Sequence, residues 1–120
     1  MNYPDNVVTL HPYFKVHADR LAEFKAAFPK FVERTKAEDK VLFYEFTVNG
    51  DEVFCREGYV GAAGAMAHLA NVGDLLAEGL KIADLTRLEI HGPAAELDQM
   101  RGPLAAYKPA WFVREAGLRR

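Results

Sequence analysis

At 120 residues, half of them apolar and 27% charged, the chain is sized for one domain with one core. A net charge of −2 argues against nucleic-acid and anionic-membrane partners, which call for a basic face. The lone Cys55 excludes an intrachain disulfide and fits a reducing compartment.

The chain start, Met1 to Asn6, lacks the basic opening and apolar run of a leader, and no window reaches the ~18 apolar residues of a membrane span. The expectation is a cytoplasmic protein with no membrane partner. Residues 7–16 alternate as a strand, with Leu10, Phe14 and Val16 on one face and His11, Tyr13 and Lys15 on the other. Pro12 requires an unpaired donor or a bulge there. A helix follows over residues 19–37, with Asp19 as an early-turn acid. Its stripe is Leu21, Phe24, Phe28, Phe31 and Val32, and Pro29 kinks or splits it.

Residues 41–48 and 52–60 flank Asn49-Gly50, a preferred turn centre, and read as a hairpin. With those two residues as the loop, Val48 pairs with Asp51, Phe46 with Val53, Tyr44 with Cys55 and Leu42 with Glu57. That face, which also carries Tyr59, is apolar apart from Glu57 and belongs beneath the helices. The opposite face holds Val41, Phe43, Glu45, Thr47, Glu52, Phe54 and Arg56, with a Glu45–Arg56 ion pair expected.

Residues 62–81 form a second helical region with Met66, Leu69, Leu76 and Leu80 buried, either one helix or two meeting near Asn71. Residues 82–91 read as a fourth strand. Gly92-Pro93 opens a last helix with Leu97, Met100, Leu104 and Tyr107 in register, interrupted at Gly102-Pro103. The tail around Trp111, Phe112 and Val113 is apolar enough to dock on the domain or on a partner.

Strand, helix, strand, strand, helix, strand is the order of an α+β ferredoxin-like βαββαβ domain with an antiparallel sheet, here with an extra C-terminal helix. Without linker or repeat, residues 1–120 read as a single domain, with the core over about 7–92 and the helix and tail over 93–120. Helices cover one face of such a sheet. Covering Val41, Phe43 and Phe54 on the other would contribute roughly 1.5–3 kcal/mol each at full burial. The natural cover is a second copy, giving a homodimer that closes two open sheet faces into an α/β barrel.

Glu57-x-Tyr59, eight residues, then Ala67-His68-Leu69 resembles the signature of the antibiotic-biosynthesis-monooxygenase-like (ABM-like) family of dimeric α/β-barrel proteins. Tyr59 departs from the tryptophan more usual there. The resemblance implies a cofactor-independent monooxygenase of small aromatic or quinol-like substrates. The family also holds haem-degrading enzymes, whose asparagine, tryptophan and histidine set has no counterpart here. It holds proteins without known activity too, so a non-catalytic dimeric module that binds a small molecule or a protein is the alternative, and an isomerase a third reading.

The candidate catalytic pair is His68 and Glu57. Glu57 is either desolvated among apolar neighbours, as suits a proton carrier, or paired with a cation such as Lys15 or Arg87. His68 lies at the border of the helix's buried stripe, as a general base or as a histidine that orients a neighbour. Tyr44 and Tyr59 are candidate walls of an aromatic pocket or plain core residues, and Cys55 a small buried hydrophobe beside them. His11 projects either into the same cleft or toward the partner subunit. The four histidines and one cysteine show no metal-ligand spacing, so no metal is expected. The third strand also lacks the basic-Gly-aromatic pattern of an RNA-binding sheet.

Overall fold

The computed structural model describes residues 4–120; the sequence reading of residues 1–3 lies outside them. The elements are β1 (Val7–Val16), α1 (Leu21–Ala26), α2 (Phe28–Thr35), β2 (Val41–Asn49), β3 (Glu52–Val60), α3 (Gly61–Gly79), β4 (Ala83–Gly92), α4 (Ala94–Met100), a 3₁₀ turn (Ala105–Tyr107) and β5 (Ala110–Val113). The sheet order is β2-β3-β1-β4-β5. Its first four strands are antiparallel neighbours, as in the expected ferredoxin-like domain. The fifth differs from expectation: the apolar tail docks as a strand parallel to β4, so the sheet is mixed and open. Trp111 packs on the core there, with the Arg101 guanidinium 4.9 Å from its ring centroid.

Proline chemistry sets two of the irregularities. β1 pairs with β3 on either side of His11 and Pro12 but not through them, and its register against β4 shifts between Tyr13 and Phe14. A central strand therefore tolerates a residue with no N–H. Pro29 splits the first helical region, because it sits in the first turn of α2, where its missing donor costs nothing. Asp19 is not in the first turn of α1; it lies before the helix with φ 65°, and Glu23 is the early acid.

The hairpin turn is centred on Gly50-Asp51, not Asn49-Gly50. Only Gly50 has positive φ, at 62°, the pattern of a turn with glycine at its first central position. Asn49 now pairs with Glu52, Val48 with Val53, Phe46 with Cys55 and Tyr44 with Glu57. This is a two-residue slip from the expected register, so every side chain from Tyr44 to the turn keeps its face. A bulge between Val41 and Phe43 reverses the strand's start: Val41 packs on the core and Leu42 is exposed. Glu45 lies directly opposite Arg56 without an ion pair between them, since both reach into solvent on the outer face. Phe43 lies over Gly58, where any side chain would collide with its ring.

α3 is one continuous helix through Asn71. Its buried row is Ala62, Ala65, His68 and Val72, at helical spacing, while Met66, Leu69, Leu76 and Leu80 flank it half-buried. Gly61 at φ 72° turns the chain from β3 into the helix. No residue of its own caps that end; Glu96 Oε1 from α4 accepts the Ala62 N–H at 2.8 Å. α4 ends at Met100, before Gly102-Pro103, and its Leu97 and Met100 are buried, whereas Tyr107 is exposed.

Two groups of buried side chains form between helices and sheet. One gathers Val8, Leu10, Tyr59, Ile90, Leu97 and Met100; the other gathers Phe14, Val16, Phe24, Val53 and Ile82. A cavity borders both.

Candidate functional site

The cavity, about 310 Å³, lies beneath α3 and beside α1 and α2, with the inner face of the sheet as its floor. Most of its lining is aliphatic or aromatic. Tyr44, Cys55, Glu57 and His68 form one polar wall. The inner hairpin face supplies the first three, and the centre of the buried row of α3 supplies the fourth.

His68 is 2% exposed and Glu57 5%. The His68 Nε2 atom lies 3.5 Å from Glu57 Oε1. The Tyr59 hydroxyl donates to the same carboxyl oxygen at 2.7 Å. On the other side of the ring, His68 Nδ1 donates to Glu38 Oε2 at 2.9 Å. Asn71 Nδ2 also donates to that oxygen, at 2.8 Å, and to the Arg34 carbonyl at 2.9 Å. Arg34 returns a bond to the Asn71 carbonyl at 3.0 Å and binds Asp74 with both ends of its guanidinium. The Tyr44 and Tyr59 rings lie 4.8 and 5.1 Å from the imidazole by centroid. A chain of contacts thus runs from Asn71 through Glu38, His68 and Glu57 to Tyr59.

Burial is the main influence on each group. It pushes the Glu57 carboxyl up to about 7, against the opposing hydrogen bonds of Tyr59 and Cys55. It pulls His68 below the usual imidazole value, while the bond to Glu38 works the other way. The Tyr44, Tyr59 and Cys55 pKa values all rise with burial and with the nearby Glu57 charge. With Nδ1–H committed to Glu38, Nε2 presents a lone pair toward Glu57. The site therefore holds an acceptor nitrogen beside a carboxyl whose pKa is raised toward neutrality. Such a pair can take a proton from one bound group and return it to another.

The structure brings together His68, Glu57, Tyr44 and Cys55 at the cavity wall, with Tyr59 behind Glu57 and fully buried. It excludes the cation pairing: Lys15 binds Asp51 and Arg87 binds Glu89. His68 is at the centre of the buried row, not at its border. His11 is not in this site. It lies on the outer sheet face, 4.7 Å from His91 and 5.8 Å from Phe54 by ring centroid, and accepts or donates to Thr9 at 2.8 Å. Among the described residues no cluster of three or more metal-ligating side chains occurs. Nor is any helix there long and apolar enough to cross a membrane.

Glu38 and Asn71 were not legible as site residues. Glu38 sits in the turn before β2, within Lys36-Ala37-Glu38-Asp39-Lys40, where charge signals only a solvated loop. Gly64 brings that loop close. A Cβ there would meet Lys40 Cβ at 3.0 Å and its carbonyl at 3.2 Å, so the glycine lets the loop lie against α3 one turn before His68.

No protein-family model and no curated protein matches the chain. Solved structures do. The fold is that of the ABM-like class: a candidate antibiotic biosynthesis monooxygenase from Nitrosomonas europaea superposes with a TM-score of 0.66 at 16% identity, over 78% of this chain and 96% of that one. Another from Chloroflexus aurantiacus J-10-fl gives 0.60 at 17% identity, over 73% and 93%. Within that fold, the chain belongs to the family of MupZ from Pseudomonas fluorescens. That crystal structure superposes with a TM-score of 0.91 at 40% identity, over 95% of this chain and 94% of that one.

Proposed function

We propose that the protein is an enzyme that moves protons within this cavity on a small, largely apolar molecule, with His68 as base, Glu57 as acid and Glu38 holding the imidazole. The observation that carries this reading is the buried Glu57 carboxyl, without a lysine or arginine partner among the described residues, 3.5 Å from His68 Nε2 at the wall of an apolar cavity. Structural ion pairs pull a carboxyl's pKa down; this one is pushed up to about 7, where acid–base exchange at neutral pH is easiest. Tyr44 and Cys55 would shape the polar wall around the reacting group, and the chemistry asks for no cofactor.

Two reactions use this pair. In the form suggested by the names of the fold's neighbours, the chain is a cofactor-independent monooxygenase. His68 takes the proton of a quinol-like hydroxyl, and the electron-rich ring is oxidised by dioxygen, keeping one oxygen atom while the other leaves as water with two hydrogens from the substrate. In the other, the proton returns to a second atom of the substrate and no oxygen is consumed, as in an isomerase. An acid at Glu57 serves both forms: it protonates the departing oxygen in the first and returns the proton to the substrate in the second.

The test measures oxygen uptake and product with a hydroquinone or an anthrone, in air and anaerobically, for wild type, His68→Ala and Glu57→Gln. Each substitution is expected to lower turnover by roughly 10²- to 10⁴-fold while circular dichroism is unchanged. Turnover that persists without oxygen selects the isomerase form. Equal rates in all three proteins refute the proton-transfer reading, and tight binding without turnover makes the chain a binding module. We also propose that the outer face, with Tyr13, Phe43 and Phe54, packs against a second copy; sedimentation giving a monomer would refute that.

A further inference from the structure

We infer that the cavity takes an uncharged amphiphile, a hydrocarbon chain bearing a neutral oxygen function at the polar wall, and that the chain runs from His68 toward the C-terminal end of α3. This builds on the proton-transfer reading only for the position of the oxygen function. Two observations carry the rest. The first is extent: α3 lines the cavity from His68 through Val72 and Leu76 to Gly79, which at 1.5 Å per residue is about 16 Å. With Phe24 and Ile82 beside its far end, that length outruns a single ring seated at Glu57 and leaves room for a tail.

The second is charge. At the polar wall the cavity meets Glu57, with Glu38 behind His68, and no lysine or arginine. Its only lysine is Lys30, on the exposed rim with Glu23 and Glu78. An anionic head placed at His68 would face two acids. A cationic head would have to be stripped of water in an apolar chamber, at a cost that one partly protonated carboxyl offsets poorly. A hydroxyl, ether or carbonyl oxygen meets donors and acceptors in Tyr44, Glu57 and His68 without that cost. Gly79 marks the path: a Cβ there would stand 3.4 Å from Phe24 Cε1, so a larger residue would narrow the channel.

The test is calorimetric titration of the full chain at pH 6 with butanol, hexanol, octanol, octanoate and octylammonium. Alkanol affinity is expected to rise about fourfold per methylene, the increment for burying each in an apolar site. Octanoate and octylammonium are expected to bind at least about tenfold more weakly than octanol. Gly79→Leu should loosen octanol toward butanol's affinity and leave butanol unchanged. Affinity that levels off at butanol, a charged analogue that binds as tightly as octanol, or octanol binding unaltered by Gly79→Leu would overturn the inference. None of these measurements uses turnover. Glu57→Gln separates the two ideas: it should keep the chain-length dependence while losing activity.

Discussion

Two glutamate–histidine contacts lie on opposite faces of one sheet, and their chemistry diverges. On the inner face, Glu57 Oε1 is 3.5 Å from His68 Nε2; on the outer face, Glu89 Oε1 is 3.2 Å from His91 Nε2. Glu57 is pushed up to about 7, mainly by burial, whereas Glu89 is held below the usual carboxylate value, first by Arg87 and then by His91. Proximity to an imidazole therefore does not decide a carboxyl's state. Burial and a permanent cation do: Glu57 is buried with no lysine or arginine beside it at the cavity wall, while Glu89 binds Arg87.

The largest contrast is in the pH dependence of stability. The folded state raises the Glu57 pKa from 4.5 to about 7, so between those values the folded chain holds a proton that the unfolded chain has released. Stability tied to the neutral carboxyl is complete below 4.5 and is lost as pH rises through about 7. The loss is on the order of 3 kcal/mol at 1.36 kcal/mol per pH unit. Urea unfolding at pH 5 and pH 9 should show it in wild type, and Glu57→Gln should remove most of it. Equal pH profiles would mean that Glu57 is not desolvated. His68 acts in the opposite direction: its lowered pKa withdraws stability as pH falls below 6.5.

A smaller effect is expected at Glu38, which does not reach the cavity. Glu38→Gln keeps the volume but removes the charge that raises the His68 pKa. The imidazole should then titrate lower still by NMR, and turnover should fall with kcat affected more than KM, because orientation of the base is lost and not binding. Glu38→Ala also takes a partner from Asn71 Nδ2, and the unfolding free energy should fall by about 1–3 kcal/mol. A His68 titration unmoved by Glu38→Gln would remove Glu38 as the group that sets the ring.

Which parts of this were readable in the sequence follows from which signals are local. Alternation along β3 put Glu57 and Cys55 on the inner face, and a slip of two in the turn left that face intact, since side-chain direction has period two. The bulge at the start of β2 was not readable: it exchanges Val41 and Leu42 and answers to the packing of Phe43 over Gly58, a contact between strands. His68 was visible as a residue of α3 but was placed at the border of the stripe, because weighting large residues favoured Met66 and Leu69 over Ala62 and Ala65. Small residues bury most completely where a helix lies close to the sheet. Glu38 depended on a fold-level approach permitted by Gly64, and no spacing within its own loop announces that.

The smallest expected effect is on the outer face, where it serves as the control for the inner one. Glu89 is flanked by Arg87, whose Nε donates at 2.6 Å, and by half-exposed His91. Where the outer face is uncovered, water and salt screen these charges, so Glu89→Gln should change the unfolding free energy of the single chain by less than about 1 kcal/mol. Whatever change occurs should shrink further at 1 M salt, while the pH dependence carried by Glu57 should persist there, since it arises mainly from burial and not from a charged partner. The Glu89 contribution has the sign opposite to that of Glu57. Its lowered pKa adds stability at neutral pH that disappears as the solution is acidified through the carboxylate range. Salt titration of both variants thus separates a screened pair from a desolvated one. If the Glu57 profile collapsed in salt as the Glu89 profile does, the raised pKa of the inner carboxyl would come from screened charges and not from burial.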